Sequence, residues 1–513
     1  MALREMMGIM SNLYTTLTSG FPADRARPFA RLDDGGLVTY ADLEARSAAY
    51  ANVLRDLGVG IGDRVAVQVE KCIDAVMLYL GCLRAGAVFL PLNTAYTAGE
   101  LDYFMADAVP ALFVCASDRR AAVDELAAAA GVPRVEDLDG AGGGSLAALA
   151  QAAPTAFATV DRADDDLAAI LYTSGTTGRS KGAMMSHDNL ASNARALASL
   201  WRFTAEDVLL HALPIYHTHG LFVALNVTLL AGASVLFHNR FDAAEVLAAL
   251  PAATTMMGVP TFYIRLLGEP GFTREACAHM RLFVSGSAPL SAEIHREFSE
   301  RTGHAILERY GMTETGMITS NPYDGDRVPG TVGFPLPGVS VRIADPETGA
   351  ALPQGEVGVI EVTGPNVFKG YWNMPEKTAE EFRGGWFVTG DLARIDERGY
   401  VAIVGRSKDL IISGGLNIYP AEVEAVLDEL PCVHESAVIG VAHPDLGEGV
   451  VAVVVPREAG FADAEIVLGG VAGALARFKQ PRRVVFVDAL PKNAMGKVQK
   501  TALRETYADS FAR

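Results

Sequence analysis

A polar, glycine-rich stretch follows an apolar run near residue 170. Residues 173–182 read Thr-Ser-Gly-Thr-Thr-Gly-Arg-Ser-Lys-Gly. Glycines permit tight turns in which consecutive N–H groups converge on anionic oxygens. The Lys181 ammonium adds a point charge for a β- or γ-phosphate, and hydroxyl donors come from Thr173, Ser174, Thr176 and Thr177. The pattern predicts a phosphate site, although its spacing is not that of the Walker loop, and a flexible Ser/Gly loop is the alternative.

Two acidic residues further along suit a nucleotide and its metal ion. Glu314 lies between two threonines in a glycine-containing stretch, and Mg²⁺ beside a triphosphate takes one or two carboxylates. A solvated surface glutamate is the plainer interpretation. Asp391 follows the apolar run 386–390, where a carboxylate can accept hydrogen bonds from ribose hydroxyls. A structural turn is the alternative for Asp391.

Lys497 lies in a segment whose charge opposes that of the whole chain. Residues 477–500 hold one acid, Asp488, and seven basic residues, namely Arg477, Lys479, Arg482, Arg483, Lys492, Lys497 and Lys500. A solvated basic surface is the usual explanation. A lysine after Gly496 in an irregular loop can instead neutralise charge developing on an α-phosphate.

Three histidines in the middle of the chain are candidates for a metal site or a substrate pocket. His211, His217 and His219 include a His-x-His pair, but no third ligand has convincing spacing for zinc. We therefore expect the stretch 214–220 to line a substrate pocket.

Arg265 is the only charged residue in 256–267. If its side chain is buried, it needs an anionic partner such as a carboxylate. The alternative is that the side chain extends from a helix to the protein surface.

The elements that must position these residues alternate in type. Thr39–Asp42 is a capping-box candidate for a helix that stops near Gly58. Val65, Val67 and Val69 predict a strand, 73–83 a helix, and 166–172 a buried strand. We expect an α/β fold with a large N-terminal lobe of mixed sheets layered with helices, residues 1–405, and a small mobile α+β lobe, residues 406–513, with a buried strand at 450–455.

Composition narrows the class of protein. The 513 residues include 43 Lys and Arg against 61 Asp and Glu, a net charge of −18. This balance argues against a nucleic-acid surface and an anionic membrane surface. Residues 208–237 carry no Asp, Glu, Lys or Arg, but Pro214, glycines and histidines favour strand, loop and buried helix over a membrane span. Five scattered cysteines without a C-x-x-C pair favour a cytoplasmic protein without disulfides.

The motifs together resemble those of the acyl-adenylate-forming superfamily. After Tyr172 and the loop 173–182 come, in the family's order, Glu308-Arg-Tyr-Gly-Met-Thr-Glu314, Thr389-Gly-Asp391, Gly405-Arg-Ser-Lys408-Asp409, the block 414–422 and Pro491-Lys-Asn-Ala-Met-Gly-Lys497. The closest resemblance is to malonyl-CoA synthetases. It implies an AMP-forming acid–thiol ligase that uses ATP, Mg²⁺ and coenzyme A, with fatty acid metabolism as its setting.

The resemblance implies a role for each matching residue. Lys497, Thr173, Glu314 and His217 are the expected catalytic residues, with Thr173 and Glu314 at the metal. The expected cofactor-binding residues are Thr173, Ser174, Gly175, Thr176, Thr177, Gly178, Lys181, Gly286, Ser287, Ala288, Glu308, Arg309, Tyr310, Thr313, Asp391, Arg406, Lys408, Gly414 and Gly415. Tyr310 would stack on adenine, Lys408 would be the hinge, and other basic residues of 477–500 would meet coenzyme A.

The acid is expected to be malonate or methylmalonate. The resemblance assigns Arg265 to its distal carboxylate, and the rest of the short pocket to Thr218, His219, Ser285, Gly286 and Met312. A ligase for another short, fatty or aryl acid is the first alternative, and an adenylation domain serving a carrier protein is a weaker one. A phosphate-loop ATPase or kinase would release ADP instead, and a silent nucleotide-binding protein would lack Lys497, Glu314 or Asp391. We expect a monomer or homodimer.

Overall fold

Strands and helices alternate along most of the chain in the computed structural model. It describes residues 12–173, 180–413, 416–444, 446–472, 474–475, 477–493 and 496–511. These residues form a two-lobed, mixed α/β protein, as the sequence predicted. They contain four sheets.

Two sheets, mostly of parallel strands, make up the bulk of the larger lobe. The first runs, in spatial order, through Phe334–Pro335, Gly316–Ser320, Leu307–Met312, Leu282–Ser285, Thr255–Gly258, Val208–His211, Ser234–Phe237, Pro28–Leu32 and Leu37–Thr39. The second runs through Val135–Asp137, Leu112–Cys115, Arg64–Gln68, Val88–Pro91, Leu167–Thr173 and Lys181–Ser186. Apolar strands buried on both faces, such as Leu282–Ser285, suit this layered arrangement.

The other two sheets lie later in the chain and are mostly antiparallel. One contains Ser340–Ala344, Gly358–Thr363, Trp386–Ile395, Phe382–Arg383 and Val401–Arg406. The other contains Leu416–Ile418, Ile411–Ser413, Gly447–Pro456, Val433–His443 and Arg483–Phe486. A single 3₁₀ turn, Ser407–Asp409, links the two sheets.

Helices cover the sheets. In the described part of the chain the α-helices are Leu13–Thr18, Tyr40–Asp56, Ile73–Ala85, Ala98–Ala108, Arg120–Ala130, Ser145–Ala152, His187–Leu200, Asn226–Ala231, Ala243–Ala249, Pro260–Leu267, Ala292–Thr302, Pro375–Glu380, Pro420–Asp428, Ala464–Ala472 and Lys500–Thr506. Ile73–Ala85 is buried all round between layers, which explains its nearly uniform apolar sequence.

Local signals in the sequence placed several elements correctly. The Thr39 side chain caps the helix Tyr40–Asp56, and Asp42 completes the capping box. The predicted strands at 65–69, 166–172 and 450–455 are present as Arg64–Gln68, Leu167–Thr173 and Gly447–Pro456. These signals succeeded because capping and apolar periodicity depend on near neighbours.

The uncharged stretch 208–237 is strand, loop, helix and strand. A π-helix, His219–Leu225, runs directly into Asn226–Ala231. His217 lies in the loop before the π-helix, and His219 begins it. Among the residues that the structure describes, no helix has the length and apolar character that crossing a membrane requires.

Candidate active site

A cavity of about 420 Å³ lies where the larger lobe meets the C-terminal lobe. It collects residues from the phosphate loop and from the motifs at 308–314, 389–391, 405–409 and 491–497. Its lining includes Thr173, Lys181, His217, Thr218, His219, Ser287, Arg309, Met312, Thr313, Glu314, Arg406, Lys408 and Lys497. Residues more than 300 positions apart thus share one space, which local sequence patterns do not reveal.

The phosphate loop connects two antiparallel strands. Strand Leu167–Thr173 pairs with Lys181–Ser186, with Thr173 opposite Lys181. The loop therefore returns into a strand, unlike phosphate loops that open a helix. The predicted contacts of Ser174, Gly175, Thr176, Thr177 and Gly178 lie outside the described residues.

Lys181 is already engaged by other side chains. Its Nζ lies 3.2 Å from Glu381 Oε1 and 4.1 Å from the centre of the Tyr371 ring. The side chain is buried, so its ammonium is held at a defined place in the cavity. A phosphate approaching this ammonium has to compete with the Glu381 carboxylate.

Glu314 and Thr173 converge at the metal site predicted from the sequence. Glu314 Oε1 lies 3.4 Å from Thr173 Oγ1 and 3.0 Å from the Tyr371 hydroxyl. Burial raises the pKa of Glu314, so a cation would stabilise its charged form. No group of three metal-ligating side chains occurs among the described residues. One carboxylate and one hydroxyl fit Mg²⁺ that takes its other ligands from phosphates and water.

Tyr310, Asp391 and Arg406 form a chain at the nucleotide side. The Tyr310 hydroxyl donates to Asp391 Oδ2 at 2.6 Å, and Arg406 Nε lies 2.8 Å from Asp391 Oδ1. Strand pairing sets this contact, since Asp391 lies directly opposite Arg406. The Asp391 carboxylate is therefore held in place by one hydrogen bond and one ion pair.

Some residues predicted at the nucleotide lie just outside the cavity lining. Among the described residues these are Gly286, Ala288, Glu308, Tyr310 and Asp391. Glu308 is buried, and its desolvation raises the pKa to about 8. Alternation along Leu307–Met312 sends Glu308 and Arg309 to opposite faces, so only one of the two can face the cavity.

Arg309 is buried and lines the cavity. It is 4% exposed, and its Nε and Nη2 have no hydrogen-bond partner in the described chain. Its guanidinium lies against Gly286, where a Cβ would sit 2.4 Å from Cζ. Burial lowers the pKa of Arg309 to about 9. A buried cation without a partner is costly, which indicates an anionic ligand.

Arg265 does not occupy the position that we expected. The hypothesis required a buried arginine facing the acid, but Arg265 is exposed on helix Pro260–Leu267 and is not part of the cavity lining. The helix buries Tyr263, Leu266 and Leu267 instead. Helical geometry then turns position 265 to solvent, a consequence of packing that the apolar context of 256–267 concealed.

Three residues predicted for the acid pocket belong to the same region as Arg309, because Ser285 precedes Gly286, which the guanidinium contacts, and the other two are Thr218 and His219. His219 and Thr218 line the same cavity, and His219 Nδ1 lies 3.2 Å from Ser287 Oγ. In the described structure three further buried atoms here lack hydrogen-bond partners: Thr218 Oγ1, His219 Nε2 and Ser285 Oγ. Burial lowers the pKa of His217 to about 4, so this cavity histidine is neutral at pH 7.

Lys497 reaches the cavity from the C-terminal lobe. Its backbone N–H donates to Asn493 Oδ1 at 2.9 Å, within a small loop closed by the bridge between Lys492 and Val498. Surrounding protein and Arg406 lower the pKa of Lys497 to about 8. Burial likewise lowers the pKa of Lys408, in the turn between the lobes.

The basic segment 477–500 is partly neutralised by acids of its own lobe. Lys479 pairs with Glu422 at 2.5 Å and Lys500 with Glu424 at 2.6 Å, and Lys492 pairs with Glu435. These three lysines therefore form the ion pairs of a folded surface rather than an open basic patch. The predicted pantetheine contacts of Gly414 and Gly415 lie outside the described residues.

Sequence reasoning missed Tyr371 and Glu381. Both line the cavity, where Tyr371 contacts Glu314 and Lys181, and Glu381 pairs with Lys181. Tyr371 reads locally as a core aromatic and Glu381 as a helix-end surface acid. No nearby residue signals their role, because their partners are 57 and 200 positions away.

Comparison with known proteins identifies the family. The sequence profile of the AMP-binding enzyme family matches residues 19–372, and that of the AMP-binding enzyme C-terminal domain matches residues 422–497. The chain belongs to the AMP-binding enzyme family. It is an AMP-forming acyl-CoA ligase, with ATP, Mg²⁺ and coenzyme A as the reactants and metal of its class.

Individual relatives of this AMP-binding enzyme differ in the acid they are named for. A feruloyl-CoA synthase from Amycolatopsis sp is 38% identical over 92% of the chain and 94% of the relative. A malonate–CoA ligase from Arabidopsis thaliana is 36% identical over 87% of the chain and 78% of the relative. The crystal structure of ATP-bound MatB from Rhodopseudomonas palustris superposes with a TM-score of 0.96 at 59% identity, covering 98% of this chain and all of that one.

Proposed function

We propose that this acyl-CoA ligase activates malonate or methylmalonate. It would join the acid to coenzyme A through an acyl-adenylate, releasing AMP and pyrophosphate. The malonate–CoA ligase relatives and the similarity to MatB support this proposal. The higher identity of feruloyl-CoA synthases, at 38%, favours an aryl acid as the competing candidate.

The proposal is supported by unpartnered buried polar atoms on three residues of the cavity lining and on Ser285, which precedes Gly286 at the Arg309 guanidinium. Arg309 Nε and Nη2, Thr218 Oγ1, His219 Nε2 and Ser285 Oγ lack partners within the described residues. An alkyl chain or aromatic ring packed there would leave each atom desolvated and unpaired, at about 1–3 kcal/mol apiece. A second carboxylate supplies acceptors for the guanidinium and the hydroxyls. The substrate class that fits is therefore a short dicarboxylate.

The first reaction would be adenylation. One acid carboxylate attacks the α-phosphorus of ATP, a P–O bond forms, and pyrophosphate leaves with the electrons of the broken P–O bond. Lys181 would hold the β- and γ-phosphates once it leaves Glu381, and Lys497 would offset charge on the α-phosphate. Both ammonium groups line the same cavity.

Ribose and metal would bind on the two sides of these lysines. Asp391, fixed by Tyr310 and Arg406, would accept ribose hydroxyls. Glu314 and Thr173 would hold Mg²⁺, which when bound supplies charge neutralisation to the triphosphate. The Tyr371 hydroxyl keeps the Glu314 carboxylate in place.

The second reaction would follow a rotation of the C-terminal lobe. We propose residues 1–405 and 406–513 as the two moving parts, with Lys408 as the hinge. Lys408 lies in the short turn between the two later sheets, where few backbone dihedrals have to change. Lys497 would then leave the cavity, and the coenzyme A thiolate would attack the adenylate carbonyl carbon and expel AMP.

A pyrophosphate-release assay tests the proposal directly. Purified protein is supplied with ATP, Mg²⁺, coenzyme A and one acid: malonate, methylmalonate, acetate, octanoate, 4-coumarate or ferulate. We expect malonate or methylmalonate to give the highest kcat/KM by at least about tenfold, since only they satisfy Arg309. Activity confined to monocarboxylates would contradict the proposal.

A further inference from the structure

A buried lysine contacts the strand that precedes the cavity residues 217–219, at a position unrelated to the adenylation motifs. Lys71 follows strand Arg64–Gln68 and is only 7% exposed. Its Nζ lies 2.7 Å from His211 Nδ1, 2.9 Å from the His211 carbonyl oxygen and 2.6 Å from the His238 carbonyl oxygen. Three acceptors surround this amine, and the Phe237 ring lies 4.4 Å away. Burial lowers the pKa of Lys71 well below its usual value, and each N–H of the amine has an acceptor within reach.

The His211 ring connects Lys71 to the π-helix His219–Leu225 through two hydrogen bonds. It ends strand Val208–His211, and its Nε2 lies 2.8 Å from the Gly220 carbonyl oxygen. A carbonyl only accepts, so Nε2 carries the proton, and Nδ1 accepts from Lys71. Burial and the neighbouring Lys71 lower the pKa of His211 well below its ordinary value. The ring is thus neutral, in one tautomer, between one donor and one acceptor.

Gly220 directly follows two residues of the cavity lining. It is the second residue of the π-helix His219–Leu225, next to His219 and Thr218, which line the cavity. A Cβ on Gly220 would lie 2.0 Å from the Pro214 carbonyl oxygen, so the backbone here is closely packed. π-Helical turns lose regular i→i−4 hydrogen bonds. The hydrogen bond from His211 Nε2 to the Gly220 carbonyl oxygen therefore affects the position of this turn more than it would in a regular α-helix.

We propose that Lys71 is a positioning residue for acid binding, acting through the His211 imidazole on the Gly220 carbonyl. It touches neither the acid nor ATP. By fixing one tautomer of His211 it holds Thr218 and His219 at the distance that the acid requires. The inference concerns the pocket wall and holds for whichever acid the enzyme prefers, so it can fail or succeed independently of malonate as substrate.

Steady-state kinetics of Lys71→Met test the proposal. The assay uses the full chain and the acid with the highest kcat/KM in the wild type. We expect KM for the acid to rise at least about tenfold, while KM for ATP changes less than about twofold. Arg281→Met is the matched control, because Arg281 pairs with Asp207 at the other end of the same strand region, 2.6 Å apart. Arg281→Met should lower the stability of the protein without raising KM for the acid selectively over KM for ATP.

A rescue experiment separates positioning from general packing. His211→Gln retains an acceptor and a donor that can face Lys71 and Gly220, whereas His211→Leu retains neither. We expect the glutamine variant to keep KM for the acid within about threefold of wild type and the leucine variant to resemble Lys71→Met. Equal rises in both KM values, or equal behaviour of the two His211 variants, would overturn the proposal.

The tautomer can also be read in the wild-type protein, should Lys71→Met fail to fold. Long-range ¹H–¹⁵N spectra of protein labelled at histidine distinguish a protonated Nε2 from a protonated Nδ1, and loss of signals in His211→Gln assigns the ring. The expected spectrum shows Nε2–H at pH 7. A protonated Nδ1 would refute the proposed chain of hydrogen bonds.

Discussion

Replacing Arg309 with methionine should improve the stability of the free protein while it destroys activity with malonate. The guanidinium is 4% exposed and unpartnered among the described residues. A pKa held at about 9 by burial corresponds to a cost on the order of 5 kcal/mol for keeping this charge in the free enzyme. Methionine recovers only part of it, so we expect about 1–3 kcal/mol of added stability and a Tm higher by a few degrees.

The same substitution removes the proposed partner of the distal carboxylate. Losing a charge-assisted, buried contact costs about 2–4 kcal/mol, or roughly 30- to 1,000-fold in kcat/KM for malonate. Isovalerate has nearly the shape of malonate without its second charge, and its low kcat/KM should not fall. Calorimetry without ligands and pyrophosphate release with both acids measure the two effects.

Two outcomes would refute this reasoning. Equal losses with malonate and isovalerate would show that Arg309 serves ATP or the fold rather than the acid. A large, malonate-specific loss in Arg265→Met, with Arg309→Met nearly unaffected, would restore the hypothesis that the sequence suggested first. The expected result for the exposed Arg265 is a change of less than about twofold.

Three further results are expected. Lys497→Ala should abolish adenylation but retain thioester formation from supplied malonyl-AMP; loss of both half-reactions would contradict the split roles. Gly286→Ala places a Cβ 2.4 Å from Arg309 Cζ, so KM for malonate should rise about tenfold or more with KM for ATP nearly constant; a common rise would indicate general damage. Because the pKa of Lys497 is about 8, its ammonium is lost as pH rises through 8, and kcat/KM for adenylation should fall above that pH; the same fall in Lys497→Arg would rule out this lysine as its source.

Much of the architecture was predictable because it depends on near neighbours. Thr39 and Asp42 set a helix start, alternating valines set strand Arg64–Gln68, and an apolar run set Leu167–Thr173. The motif residues Thr173, Lys181, Glu314 and Lys497 line one cavity. Their roles in catalysis remain predictions.

The sequence by itself indicated the family and the candidate residues for its chemistry: a phosphate loop, a carboxylate for the metal and a lysine in the C-terminal lobe. Those signals are residue types at fixed spacing. Only the tertiary structure decided which of two arginines lines the cavity. Helix Pro260–Leu267 turns Arg265 to solvent, while strand Leu307–Met312 turns Arg309 into the cavity. Orientation of that kind depends on what each element packs against, and those partners are distant in the chain.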